Sequence, residues 1–162
     1  MKIVRLLLLP LLACSFLGMA KKQPLVSVRF YLEANARDGT SFSTPTKLHN
    51  PDRDAFMERI PSISERDIEG VFPVENADGT FGCVFQLDRH GSVGLQTLSS
   101  ERRGSTLLGL IGSAAGARQL VELRIDKPIT DGRIYVPRGM NQVEIDQLKK
   151  QFPTIGQSAT KK

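Results

Sequence analysis

Residues 26–33 alternate cleanly, with Val26, Val28, Phe30 and Leu32 on one side and Ser27, Arg29, Tyr31 and Glu33 on the other. A period of two predicts a half-buried strand. The alternation stops at residue 34. Residues 34–51 are rich in Asn, Asp, Gly, Ser, Thr and Pro, which predicts a loop with a short extended piece at 43–48. Residues 54–60 fit either a short helix capped at Asn50-Pro51 or an edge strand ending before Pro61. Two apolar runs, 69–75 and 80–88, flank Asn76-Ala77-Asp78-Gly79, and the Asp-Gly pair predicts a hairpin. Phe81, Cys83, Phe85 and Leu87 share one face, so Cys83 reads as a core residue. Pro73 puts the first of these strands at a sheet edge or on a bulge.

Beyond the hairpin, Gly91 and Ser92 open a helix reaching about Arg103, with Val93, Leu95 and Leu98 on its apolar side. Arg102 and Arg103 suit its last turn, and Gly104 fits the residue just past it. Residues 106–111, with Gly109 inside, read as a buried strand, residues 112–116 as a turn, and residues 119–125 as another alternating strand. Asp131-Gly132 marks a turn before a short strand at 133–136. Asn141 caps the closing helix, and Glu144 completes a capping box. Met140 and Ile145 have the spacing of a hydrophobic staple. Ile145, Leu148 and Phe152 line one face, Pro153 ends the helix, and the polar tail 154–162 reads as loose. From residue 69 the order is strand, strand, helix, strand, strand, short strand, helix. This predicts an α+β fold, a mostly antiparallel sheet with two helices packed on it.

The N-terminus has its own pattern. Lys2 and Arg5 precede an apolar run from Leu6 to Met19, which Lys21 and Lys22 end. This is the three-part form of an export signal, and the run is shorter than the roughly 20 residues of a spanning helix. Leu11-Leu12-Ala13-Cys14 resembles a bacterial lipobox, which makes Cys14 the candidate lipidation site. Cleavage after Gly18-Met19-Ala20 and an uncleaved anchor are the other two readings. All three place the domain outside the cytoplasm, in the periplasm or cell envelope, with membrane contact through the anchor or lipid only. The expected division is a signal at 1–20, an N-terminal strand and loop region at 21–60, the α+β domain at 61–153 and the polar tail at 154–162.

Composition narrows the class. Of 162 residues, 40% are hydrophobic, 24% charged and 6% aromatic, with no Trp, which excludes collagen-like and disordered chains. Two Cys exclude a disulfide framework or a Cys-rich zinc module. Loss of Lys2 and Arg5 takes the net charge from +5 to +3. Without a clustered basic footprint, nucleic acid is not an expected partner.

The second half resembles the head subdomain of the first large periplasmic domain of SecD, a membrane subunit of the bacterial protein-export machinery. The resemblance runs through Ile63-Ser64, Asp67-Ile68, the Asp78-Gly79 hairpin, Val84-Phe85-Gln86-Leu87-Asp88, Gly91, Leu98, Gly104 and the apolar strand from Leu107 to Ile111. It continues through Lys127-Pro128-Ile129, Asp131-Gly132-Arg133-Ile134, Gly139, Glu144 and Leu148, about residues 61–152 in all. It implies a head-like fold on the outer side of a membrane and contact with an unfolded or partner polypeptide. SecD subunits also carry several transmembrane helices, whose charged residues couple proton flow to head movement. This sequence has none of these, so the resemblance does not extend to proton-driven export. The family's head carries no catalytic residue to transfer.

The search for chemistry points the same way. His49 and His90 lie 41 positions apart with no Cys or second His near either, which is not metal-ligand spacing. Arg53 between Asp52 and Asp54 blunts a cation site. Ser105 and Ser113 lack the G-x-S-x-G frame of a nucleophile on a sharp turn. The stretch from Gly109 to Gly116 contains no Lys for a phosphate loop. Asp126 and Asp131 form a carboxylate pair whose intervening Lys127-Pro128 suggests a turn. The expectation is a non-enzymatic envelope protein with no cofactor or metal. It would bind polypeptide or an envelope protein partner, with a link to protein export, and an open sheet edge near Pro73 would accept an added strand. The alternative is a small structural or ligand-binding lipoprotein that shares only the fold.

Overall fold

The computed structural model describes residues 26–113 and 116–155, so Cys14 and the whole expected signal lie outside the described residues. The elements are β1 (Ser27–Ala34), β2 (Ser43–His49), β3 (Asp52–Glu58), β4 (Ile68–Glu75), β5 (Phe81–Leu87), α1 (Arg89–Glu101), β6 (Thr106–Ser113), β7 (Gly116–Arg124), β8 (Arg133–Met140) and α2 (Gln142–Gln151). The expected α+β class holds, with two helices on antiparallel strands. The strands form two sheets rather than one: a large sheet in the order β2-β3-β1-β6-β7 and a small one in the order β4-β5-β8.

Alternation explains why both sheets share one core. Val28, Phe30 and Leu32 of β1 and Leu107 and Ile111 of β6 face Val71, Cys83, Phe85, Ile134 and Val136 of the small sheet. Leu95 of α1 and Ile145 and Leu148 of α2 join them. Phe30 and Phe85 join the sheets through an edge-to-face pair at 5.8 Å and 71°, a favoured aromatic geometry. Gly109 pairs with Phe30 across β1 and β6. A Cβ there would lie 2.9 Å from Phe30 Cε1 and 2.8 Å from Val121 Cγ1, so only glycine leaves the ring its place. Residues 26–60 therefore share their core with residues 61–153, and Phe30 also bridges Ile63 directly.

Residues 34–51 hold more structure than a loop, and the extended piece expected at 43–48 is present as a full strand. They contain a 3-10 turn at Ala36–Asp38 and strand β2, which pairs along its whole length with β3. The ambiguous stretch 54–60 falls mainly in β3, a strand and not a helix. This hairpin pairs with β1 at Glu33↔Met57 and Ala34↔Phe56, Arg53 of β3 ion-pairs with Glu33 at 2.6 Å, and Leu48, Ala55 and Met57 pack on Leu108, the residue facing away from the main core. At the hairpin tip, Glu122 of β7 accepts the His49 N–H at 2.7 Å and the Asn50 N–H at 3.0 Å, and its Oε1 lies 3.1 Å from His49 Nδ1. Gln119 Nε2 donates to the same oxygen. The hairpin looks polar in sequence because much of it is exposed, while the anchor that orders it lies far along the chain.

Several boundaries also move, and the turn expected at 112–116 narrows because β6 runs to Ser113 and β7 starts at Gly116. Asp88 Oδ1 accepts the Gly91 N–H at 2.7 Å, so α1 starts at Arg89 rather than at Gly91. The strand expected at 133–136 runs on to Met140 through Pro137, which an edge strand tolerates. The tail is tied down at its start. Val71 N–H donates to Pro153 C=O and Ile155 N–H to Val71 C=O, both at 2.9 Å. Residues 156–162 lie outside the described residues. The capping box of α2 is present in both directions, Glu144 N–H to Asn141 Oδ1 at 2.9 Å and Asn141 N–H to Glu144 Oε2 at 3.0 Å.

Candidate functional site

The small sheet has one face on the core and one in solvent. Its register places Phe72 opposite Val84, and Val84 opposite Tyr135. Cross-strand partners share a face, with Cβ atoms about 5 Å apart. Phe72, Val84 and Tyr135 thus make one apolar row across all three strands. Phe72 is 47% exposed, Tyr135 51% and the neighbouring Val74 40%. Single exposed apolar residues are ordinary, but a contiguous row is not. The next row is polar: Gln86 lies opposite Arg133, and Arg133 Nε donates to Gln86 Oε1 at 2.8 Å. Tyr135 is oriented by its hydroxyl, which donates to Asp131 Oδ2 at 3.1 Å.

Tyr135 also borders a groove of ≈ 570 Å³ between the end of β7 and the start of β8. Leu107, Leu123, Ile125, Ile129 and Ile134 form its apolar wall, and Arg124, Asp126, Lys127, Asp131 and Arg133 its charged rim. The carboxylate pair Asp126 and Asp131 is therefore brought to one groove, with both members engaged. Asp126 pairs with Arg124 at 3.4 Å, and Asp131 accepts from Tyr135 and from the Arg133 N–H.

The edge near Pro73 is less open than expected. Val71 already spends its outward N–H and C=O on Pro153 and Ile155. Position 73, two residues on, faces the same way, and proline has no N–H to offer. Gly70 leaves the space that Ile155 fills, since a Cβ there would lie 3.0 Å from Ile155 Cγ1. The exposed face of the small sheet is more open than this edge.

The remaining chemistry-bearing residues have local partners. Ser64 Oγ donates to Asp67 Oδ2 at 2.9 Å, and His90 Nδ1 lies 3.1 Å from Asp67 Oδ1. In a nucleophile-activating triad the hydroxyl bonds the imidazole. Here it bonds the carboxylate. Burial raises the Asp67 carboxyl, and its hydrogen bonds from Ser64 and His90 outweigh that and hold it below its ordinary range. Burial likewise raises the Glu122 carboxyl, and the His49, Asn50 and Gln119 donors more than offset it. Burial pushes the Cys83 thiol up to about 12. Among the described residues, no group of three or more His, Cys, Asp or Glu could hold a metal ion, and no helix is long and apolar enough to cross a membrane.

No family model matches the chain, and no curated protein matches it in sequence. Among solved structures it is similar to a crystal structure of SecDF in its super-membrane-facing form, with a TM-score of 0.51 and 12% identity over 75% of this chain and 18% of that one. It is also similar to SecDF described as a membrane component that enhances protein export, with a TM-score of 0.52 and 14% identity over 77% of this chain and 60% of that one. This chain spans less than two thirds of either. At such identities the likeness is one of fold, and the chain has a SecDF-like fold. The likeness extends beyond residues 61–152 and does not single out the head subdomain.

Proposed function

We propose that this is a non-enzymatic exported protein of the cell envelope, SecD-head-like over residues 61–152, that binds an extended, partly apolar polypeptide on the outer face of the small sheet. The observation that carries the reading is the Phe72–Val84–Tyr135 row, continuous across three strands and bordered by Arg133. Such a row offers apolar contact to alternate side chains of an extended chain, while the Arg133 guanidinium, held by Gln86 through its Nε, offers its remaining N–H groups to carbonyls. The SecDF-like fold supports a role beside protein export. The export signal in residues 1–20 and the lipobox-like sequence at Cys14 support a membrane-tethered lipoprotein of the periplasm or envelope.

A second reading, a small-ligand-binding lipoprotein, is favoured by the ≈ 570 Å³ groove with its apolar wall and charged rim. Fluorescence anisotropy with a labelled, unfolded, apolar-rich polypeptide separates the two. Replacing Phe72 and Tyr135 together with Ser is expected to weaken polypeptide binding about tenfold or more, the scale of one good anchor residue, and to leave the fold intact. Unchanged affinity in that variant contradicts the polypeptide reading.

A further inference from the structure

The chain leaves the described fold at both ends beside the same helix. Val26 N–H donates to Gln151 Oε1 at 3.2 Å, at the end of α2. Two residues beyond Gln151, Pro153 and then Ile155 meet Val71. At its other end α2 is held to β7, where Arg118 clasps Glu144 at 2.7 Å. The helix therefore lies across one end of the large sheet, the end where Ser27 pairs with Gly112. Its inward face is Glu144, Ile145 and Leu148. Its outward face carries Gln142, Val143, Asp146, Lys149 and Lys150, all exposed, with Val143 at 64%.

We infer that the outward face of α2 is a contact surface for a bilayer containing anionic lipid, on which Lys149 and Lys150 meet headgroups and Val143 meets the interface. The inference rests on the reading that residues 1–20 bring the chain to a membrane. Two arguments on the molecule carry it. The first is reach. Val26 is twelve residues from Cys14, at most about 43 Å of extended chain, so the end of the domain capped by α2, where that tether enters the fold, is the end held within this reach of a lipid on Cys14. The second is charge. Lys149 and Lys150 make no ion pair among the described residues. Lys21 and Lys22 lie five and four residues before Val26, and Lys161 and Lys162 lie six and seven residues after Ile155. The acidic groups nearby are fewer. Glu144 is turned inward on Arg118, Asp146 accepts from Gln142 Nε2 at 3.0 Å, and Glu69 lies beside Gly70. The helix dipole favours lysines in a last turn, but it does not account for both chain exits flanking them.

The test uses the full chain mixed with vesicles of phosphatidylcholine, with and without phosphatidylglycerol. Flotation reports attachment. Acylation by a water-soluble amine reagent, read by mass spectrometry, reports which lysines are covered. Lys127 is the internal control, because it follows Ile125, whose C=O accepts the Gly104 N–H at the opposite end of β7. The expected result is protection of Lys149 and Lys150, but not Lys127, on the phosphatidylglycerol vesicles, with the protection lost in high salt. Lys149→Glu with Lys150→Glu should lower the preference for anionic vesicles by more than the about fivefold expected from one lysine near such a surface. Flotation with Lys149 and Lys150 labelled as fully as Lys127 overturns the inference and leaves attachment standing. Failure to float with either vesicle overturns both.

Discussion

Glu122→Gln probes how a distant carboxylate orders the β2–β3 hairpin. The native carboxylate uses Oε1 for the His49 N–H and the His49 ring and Oε2 for the Asn50 N–H. A glutamine keeps one acceptor oxygen and turns an NH2 toward the other donors, so one backbone bond is lost and the rest lose their charge. A hydrogen bond to a charged group contributes about 1.5–3 kcal/mol. The Glu122 side chain is only 10% exposed but the His49 side chain is 70% exposed, so solvent screening reduces the loss to about 2 kcal/mol. For a domain of this size that lowers Tm by roughly 5–10 °C. The pH dependence gives a second readout. The folded-state pKa of Glu122 lies below its ordinary value. Its contribution is therefore fully present above the unfolded pKa, about 4.3, and is lost as pH falls through the folded pKa. Thermal unfolding followed by circular dichroism should show the variant less stable at pH 7 and equal to the native chain once Glu122 is protonated. Equal stability at pH 7, or a gap that persists unchanged at low pH, refutes the anchoring role.

Two further predictions follow from packing. Gly109→Val should destabilise by about 1–3 kcal/mol or more, the range for overpacking, because its Cβ alone would lie within 3 Å of Phe30 and Val121; denaturant titration checks this, and an unchanged midpoint contradicts the packing account. The Cys83 thiol, buried and pushed up to about 12, should resist a thiol reagent at pH 8 until the chain unfolds. Stoichiometric labelling of Cys83 in native buffer would show that the small sheet opens there.

What could be read from the sequence was whatever is set within a few residues. Strand β1 announces itself by alternation from Val26 to Leu32, and α2 by Asn141 and Glu144. Cys83 sits in the core because its neighbours two apart, Phe81 and Phe85, are apolar. Strands β2 and β3 were legible only as a short extended piece at 43–48 and an undecided stretch at 54–60, because few of their residues are buried and Glu122, which holds their tip, lies more than 70 positions away. The candidate surface was hidden for a similar reason. No local pattern sets Phe72 opposite Val84 and Val84 opposite Tyr135. The one available signal was the run Val71-Phe72-Pro73-Val74, apolar on both faces of an edge strand, which pointed to a covered outer face. The sheet edge near Pro73 suggested a strand acceptor, and only the structure shows Pro153 and Ile155 on Val71.

The most direct test of the central claim is amide NMR of the isotopically labelled protein titrated with an unfolded, apolar-rich polypeptide. The account predicts saturable shifts at Phe72, Val74, Val84, Arg133 and Tyr135, with the β2–β3 hairpin and the outer face of α2 unmoved. Shifts confined to Leu123, Ile129 and the groove rim, or no saturable shift at all, would contradict it.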